Sequence, residues 1–235
     1  MRAMILAAGR GERMRPLTDR LPKPMLAVGG KPLIVWHIER LVAAGITDIV
    51  INHAWLGERI EAGLGDGSSW SARIRYSPEI TALETAGGIA QALPLLGEQP
   101  FLVINGDIFC DWDPGQAAAH VRQLQASQAR AWLLLVDNPA HHPRGDFALE
   151  ASGWVSSAPS LPCLTFAGIG IYEPALFARV APAAPMPLAP LLRDAIATGA
   201  ALGQHHRGAW TDVGTPERLR ELDTILSADG ISQYQ

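Results

Sequence analysis

The chain has 235 residues, 48% of them hydrophobic and 18% charged, enough to bury a full core as one large α/β domain or, less simply, as two small ones. A formal net charge of -4 and a pI near 6.0 exclude the basic excess that a nucleic-acid or anionic-membrane partner demands, which leaves a small molecule as the natural partner. The opening MRAMILAAGRGERM holds too short an apolar run for a signal sequence and no later stretch approaches a membrane span, so a cytoplasmic protein is expected.

The run Ala3 to Ala8 is short, apolar and closed by glycine, the pattern of a fully buried parallel strand opening into a loop. Apolar residues at helical spacing predict a helix from Leu33 to Ala44, stopped at Gly45, and Asp48 to Asn52 reads as the next strand. Strand-like runs recur at Phe101 to Asn105 and Ala131 to Val136, with a helix-compatible Gln116 to Ala129 between them. This alternation predicts an α/β fold with a wound, largely parallel sheet. From Asn138 to Pro162 the composition turns to Pro, Gly, Ser and His, so loops and short strands are expected there, in the form of an antiparallel insertion. A strand at Thr165 to Tyr172, a Pro-rich stretch at Ala181 to Pro190, a helix from Leu188 to Thr198 ended by Gly199, and a last helix beginning near Thr215-Pro216 complete the series. No internal repeat is visible, and in particular no hexapeptide series that would build a left-handed β-helix domain.

Three strings carry the chemistry. In LAAGRGERMRPLTDRLPKPM a strand feeds Gly9 and Gly11, with Arg13, Arg15 and Lys23 close behind. Glycines there admit backbone N–H groups to phosphate oxygens, and the cations neutralise a polyanion. The same glycines also suit any strand-to-loop turn. The string has no P-loop order, and Met14 stands at the third glycine position of the dinucleotide fingerprint, which disfavours both commoner nucleotide folds. In FLVINGDIFCDWD an apolar strand delivers Asp107 to its carboxyl end, where α/β proteins bind ligands, while Asp111 and Asp113 read as turn and N-cap residues before a helix. A lone carboxylate holds Mg²⁺ poorly, so a second is expected. In GAWTDVGTPERL, Asp212 stands before a Pro-initiated helix, which taken alone is a capping position.

These strings together resemble the sugar nucleotidyltransferase family, whose first motif reads L-A-A-G-x-G-[TE]-R-[LM]-x-P-L-T followed by [PS]-K-P-[ML]; the match continues through VGGKPLI, GITDIVIN and, position by position, Gly208 to Pro216. The resemblance implies a single Rossmann-like domain of the nucleotide-diphospho-sugar transferase type with a mixed, mainly parallel central sheet. Its nucleotide-binding half would span about 1–110 and its sugar-phosphate half about 111–235. It further implies that Ala7 and Ala8 leave room for the base, that Gly9 and Asn105 also bind the nucleotide, that Gly11, Glu12 and Arg13 lie at the phosphates, and that Lys23 contacts the reacting phosphate. Glu12 replaces the commoner threonine and is expected to make a backbone or metal-shell contact. LETAGGIAQAL resembles the loop that closes over the base, pointing to Thr85, Ala86 and Gly87, and Glu84 is similar to a uridylyl-transferring subgroup where guanylyl-transferring relatives commonly have glycine. Without that likeness the same residues read as a helix start with Thr85 as cap.

Asp107 and Asp212 are the implied Mg²⁺ ligands, and with Arg13 and Lys23 the implied catalytic set. Asn105, Gly145, Glu150, Phe166, Gly168 and Asp212 are implied at the sugar phosphate, with Phe166 in place of the family's usual asparagine suggesting a bulkier or more apolar sugar substituent. An isolated glutamate such as Glu150 is as readily a solvated residue. The expected partners are UTP and a sugar 1-phosphate, N-acetylmuramate 1-phosphate ahead of glucose or mannose 1-phosphate, with the protein a monomer; a catalytically silent sugar-nucleotide sensor is the non-enzyme alternative. The paired histidines His141-His142 and His205-His206 read as surface or packing residues, Cys110 and Cys163 as bystander thiols, and the seven tryptophans as core and cleft wall.

Overall fold

The computed structural model describes residues 1–157, 161–181 and 183–228. Residues 158–160 of the expected insertion, Pro182 of the Pro-rich stretch and the end of the sugar-phosphate half lie outside the described residues. In chain order the elements are β1 (Arg2–Leu6), β2 (Ala27–Val28), β3 (Lys31–Pro32), α1 (Leu33–Ala43), β4 (Asp48–His53), α2 (Gly57–Leu64), β5 (Arg73–Pro78), α3 (Glu84–Leu96), β6 (Phe101–Asn105) and β7 (Ile108–Cys110). They continue with α4 (Ala117–Ser127), β8 (Ala131–Val136), β9 (Phe147–Leu149), β10 (Val155–Ser156), β11 (Cys163–Tyr172), α5 (Leu188–Ala197), β12 (Ala201–His206), β13 (Trp210–Asp212) and α6 (Pro216–Ala228).

A nine-stranded mixed sheet forms the centre. Its first half is parallel in the order β5-β4-β1-β6, with Ile5 opposite Ile51 on one side and Ile104 on the other. β11 then runs antiparallel between β6 and β8, and β12 lies parallel on the outer side of β8. The start of β11 pairs with β9, which pairs with β10, and these are the short antiparallel strands expected after Asn138.

The central strands are apolar at nearly every position because both faces of the sheet are covered. Ala3, Ile5, Ile49, Ile51, Leu102 and Ile104 point into one core with Ile34, Ile38 and Leu41 of α1. Met4, Val50, Phe101 and Val103 point into the other with Ile89 and Ala92 of α3 and Leu192 of α5. The alternation follows from the two-residue period of a strand. The predicted stop of α1 is a Schellman motif: Gly45 takes φ 76°, its N–H bonds to Val42 O at 2.9 Å, and the Ile46 N–H bonds to Leu41 O at 2.8 Å.

Sequence and structure differ in several places. β1 ends at Leu6, so Ala7 and Ala8, read as strand, are loop. α2, β5 and β12 are additional. Only Gly57, Ile60 and Leu64 of α2 are buried, β5 is an edge strand of mixed polarity, and β12 carries glycine and two histidines, so none shows a strong apolar period. A further difference is the three-residue pairing of β7 with β13, too short to read from periodicity.

A third, smaller core joins Met14, Val28, Leu33, Trp36, Phe109 and Val213 to Leu219, Leu222 and Leu226 of α6. It ties the loop after β1, β7 and the segment after β13 to one another. Beside it, His37 of α1 is buried beneath β7, where desolvation pushes its pKa down to about 4 against a weaker opposing hydrogen bond to the Ile108 backbone. The folded protein therefore keeps this ring neutral while the unfolded chain protonates it below about 6.5. The stability it confers is complete above that pH and is lost as pH falls towards 4, by about 3 kcal/mol. Urea denaturation at pH 7 and pH 4.5 should show a smaller acid loss in His37→Leu than in the parent; identical losses would contradict this assignment.

Candidate active site

The carboxyl ends of β1, β4 and β6 open onto one cleft, as expected where parallel strands end. The cleft has three compartments. The first, about 370 Å³, is lined by Ala7, Ala8, Gly9, Lys23, Thr85 and Asn105 among others. The second, about 220 Å³, is lined by Gly9, Gly11, Glu12, Arg13, Met14, Lys23 and Gly214. The third, about 320 Å³, is lined by Arg13, Asn105, His141, His142, Thr165, Phe166, Gly168, Trp210 and Asp212. Asp107 lines all three.

Asp107 is held by the tight turn after β6. The Gly106 N–H bonds to Leu6 O at 2.8 Å, and a Cβ at Gly106 would stand 2.6 Å from that same oxygen, so only glycine lets β6 turn against the end of β1. β7 then pairs antiparallel with β13, placing Asp212 opposite Ile108, and the Val213 N–H bonds to Asp107 O at 2.8 Å. Two aspartates more than a hundred positions apart thereby face the third compartment as neighbours.

Each aspartate has one oxygen bound by a cation. Lys23 Nζ lies 2.5 Å from Asp107 Oδ2, with the lysine itself only 8% exposed. Arg218 Nη1 lies 2.6 Å from Asp212 Oδ1, and His141 Nε2 lies 3.0 Å from the same oxygen. Among the described residues nothing bonds to Asp107 Oδ1 or Asp212 Oδ2. Two free carboxylate oxygens on adjoining strands are a hard-oxygen donor set that suits Mg²⁺ completed by phosphate oxygens. Gly214 is part of this arrangement, since a Cβ there would meet Arg218 Nη2 at 2.2 Å.

Arg13 faces the second and third compartments without an ion pair among the described residues. Glu12 is exposed and sits between Arg10 and Arg15, at 3.7 and 3.8 Å, so its charge is offset by arginines of its own loop. Gly11 takes φ 68° with Thr18 and Lys23 closing on the face where a side chain would stand. Phe166 is held at the third compartment by its N–H bond to Asp146 Oδ2 at 2.9 Å. Gly168 takes φ 77°, and a Cβ there would lie 2.6 Å from Asn105 Nδ2.

Several of the other expected residues are turned away from the cleft, though Glu84 and Thr85 line it. Ala86 and Gly87 are buried under the cleft, their N–H groups bonded to Met186 O at 2.9 and 3.1 Å and so withdrawn from any ligand. Thr85 lines the cleft but makes no cap bond; the N-cap is Leu83. Glu84 opens the helix at φ 58°, so a residue with a side chain takes the left-handed conformation that glycine adopts freely. Glu150 is exposed in the turn between β9 and β10, bonded by Ser152, and lines none of the compartments, because the hairpin directs it to solvent. Gly145 packs against Asn138 and the Cys163 backbone rather than lining the third compartment.

Of the histidines read as surface or packing residues, two reach the cleft. His141 and His142 both line the third compartment, His142 Nε2 lying 3.1 Å from Asp146 Oδ1. His206 Nε2 lies 2.6 Å from Asp111 Oδ1, so Asp111 is a hydrogen-bond partner of that ring rather than a turn residue, whereas Asp113 does cap, accepting from the Gly115 N–H at 2.8 Å. Cys110 completes a cluster with those two, but burial pushes its thiol up to about 12, the mark of an unreactive sulfur. Trp36, Trp112 and Trp132 are core, and Trp210 is cleft wall, its indole N–H bonded to Ala167 O at 2.9 Å. Asn52 and Arg218 lie within the strings GITDIVIN and GAWTDVGTPERL, but the sequence alone assigns them no role; the one signal for Asn52 is that it ends an apolar strand as Asn105 does.

The family model for nucleotidyl transferases matches residues 2–228. An N-acetylmuramate alpha-1-phosphate uridylyltransferase of Neisseria meningitidis is 53% identical over 97% of this chain and 99% of its own length, and one of Caulobacter vibrioides is 36% identical over 96% of each. A solved Bacillus anthracis structure assigned as a glucose-1-phosphate thymidylyltransferase superposes with a TM-score of 0.82 over 97% of this chain and 95% of that one, at 23% identity, a likeness of fold. No helix among the described residues is long and apolar enough to cross a membrane. With a matching model over nearly the whole length and relatives aligned end to end, the chain belongs to the nucleotidyl transferase family.

Proposed function

We propose that the protein transfers UMP from UTP to N-acetylmuramate 1-phosphate, giving UDP-N-acetylmuramate and pyrophosphate. The observation that carries this reading is Asp107, which lines all three compartments and has Asp212 paired beside it where two anionic substrates would meet. The 53% identity with a relative named for that reaction supports the choice of substrates. UTP fills the first compartment, its phosphates reach the second, and the sugar phosphate enters the third. There the half-buried Phe166 and Trp210 offer apolar surface to the ether substituent of the sugar, with His141 and His142 beside them.

The reaction needs no protein nucleophile: an oxygen of the sugar phosphate attacks the α-phosphorus in line, and pyrophosphate leaves. What the chain supplies is position and charge. Lys23 and Arg13 offset the repulsion between the two anions, and their placement in a partly desolvated cleft makes that effect larger than in water. Asp107 and Asp212 would hold Mg²⁺, which supplies further shielding of the phosphate charge. Arg218 keeps Asp212 pointed into the cleft. The working unit is taken to be a monomer, acting in the cytoplasm, where UTP is available, in the recycling of cell-wall sugar.

Pyrophosphate release with Mg²⁺, measured for UTP, dTTP, GTP, ATP and CTP against N-acetylmuramate, N-acetylglucosamine, glucose and mannose 1-phosphates, tests the assignment. Fastest turnover with UTP and N-acetylmuramate 1-phosphate is expected. Another preferred pair would replace the substrates, and nucleotide binding without release would make the protein a sensor. Loss of an interaction worth several kcal/mol should lower turnover about a hundredfold or more in Asp107→Asn and Asp212→Asn. Arg218→Ala should cost about tenfold or more, the usual scale for a residue that orients a ligand to a metal. Parent-like turnover in any of the three variants would remove that residue from the site.

A further inference from the structure

The first compartment has two walls that are distant in sequence: the loop after β1, and residues 79–85 leading into α3. Asn52, at the end of β4, stands between them. Its Oδ1 accepts from the Ala7 N–H at 3.0 Å, and its Nδ2 donates to Glu79 Oε1 at 2.6 Å. The other oxygen of that carboxylate, Glu79 Oε2, accepts from the Leu83 N–H at 2.8 Å. The result is a continuous chain from the backbone of one wall to the backbone of the other. Both linking side chains are buried, Asn52 at 2% and Glu79 at 6% exposure.

The neighbourhood is shaped around this pair. On α3, Gly88 leaves room for it, since a Cβ there would lie 2.6 Å from Glu79 Oε1 and 2.8 Å from Asn52 Nδ2. The segment it anchors has little else to hold it in the middle: Ile80 is fully exposed, and Glu84 sits in left-handed backbone at φ 58°. Burying a carboxylate against an amide is costly, and an apolar pair of similar volume would serve stability as well or better. Two such groups that connect the two walls of one compartment are therefore explained by what they place.

We propose that Asn52 and Glu79 are a positioning pair that sets the distance between the two walls of the nucleotide compartment, and with it the affinity for UTP and its selection over other nucleoside triphosphates. This rests on the nucleotide reading of that compartment. The Glu79 carboxylate acts through Leu83 and Asn52 through Ala7; neither takes part in the phosphoryl transfer.

The test is steady-state kinetics of the full chain with UTP and sugar 1-phosphate varied separately, in Asn52→Ala and in Glu79→Gln, which keeps the shape but turns one acceptor into a donor. Asn52→Ala should raise KM for UTP by about tenfold, the scale of one or two lost buried hydrogen bonds, while KM for the sugar 1-phosphate stays within about twofold. The ratio of kcat/KM for UTP over dTTP should fall in the same variant. Glu79→Gln should move both quantities in the same direction by less, and it provides the reading if Asn52→Ala does not fold. Parent-like KM for UTP in a folded variant, or equal rises for both substrates, would overturn the proposal. Calorimetry of UTP with the parent protein separates the two levels: no binding there would sink the nucleotide reading itself, whereas normal parent binding with unchanged variants sinks only the positioning role.

Discussion

The antiparallel pairing of Ile108–Cys110 with Trp210–Asp212 is the constraint on which the site depends. It is short, three residues on each strand, and it does not belong to the large sheet. Yet it closes a loop of about a hundred residues and so must be supported from outside, because three backbone pairs cannot offset the chain entropy of such a closure. The support comes from the third core. Phe109 from the pair and Val213 just after it pack with Trp36 and Leu33 of α1 and with Leu219, Leu222 and Leu226 of α6, and Met14 brings the loop after β1 into the same cluster. One apolar cluster thus fixes the glycine loop and both aspartates relative to one another.

Charge is arranged with the same economy. Lys23 and Arg218 each bond one oxygen of an aspartate and leave the other free, so the carboxylates are oriented without being fully neutralised. Arg13 carries no partner among the described residues and faces the two compartments where phosphates would lie.

How much of this was legible in the sequence depended on the kind of signal. β1, β4, β6 and β8 were readable because strands covered on both faces must be apolar throughout, and α1 because its period and its Gly45 stop agree. β7 and β13 were not, since three residues carry no period. Asp107 was legible from its place at a strand end, but Asp212 only through resemblance, its own surroundings reading as a helix cap. The likeness also pointed to Glu150, which the β9–β10 hairpin turns to solvent, and to Ala86 and Gly87, whose N–H groups bond to Met186 O. Adjacent histidines in a loop seldom share a face, so His141 and His142 read from the sequence as surface or packing residues. In the loop after β8 both of them line the third compartment, which only the fold of that loop decides.

If Asp107 and Asp212 act as one unit, as their shared compartment and the Asp107–Val213 backbone bond imply, their effects on turnover cannot be independent. A double-mutant cycle on kcat/KM with Asp107→Asn, Asp212→Asn and the combined variant measures this directly. The account predicts that the double variant is scarcely worse than the poorer single one, because either change already dismantles the common site. Losses that multiply would contradict it, showing two aspartates that work apart.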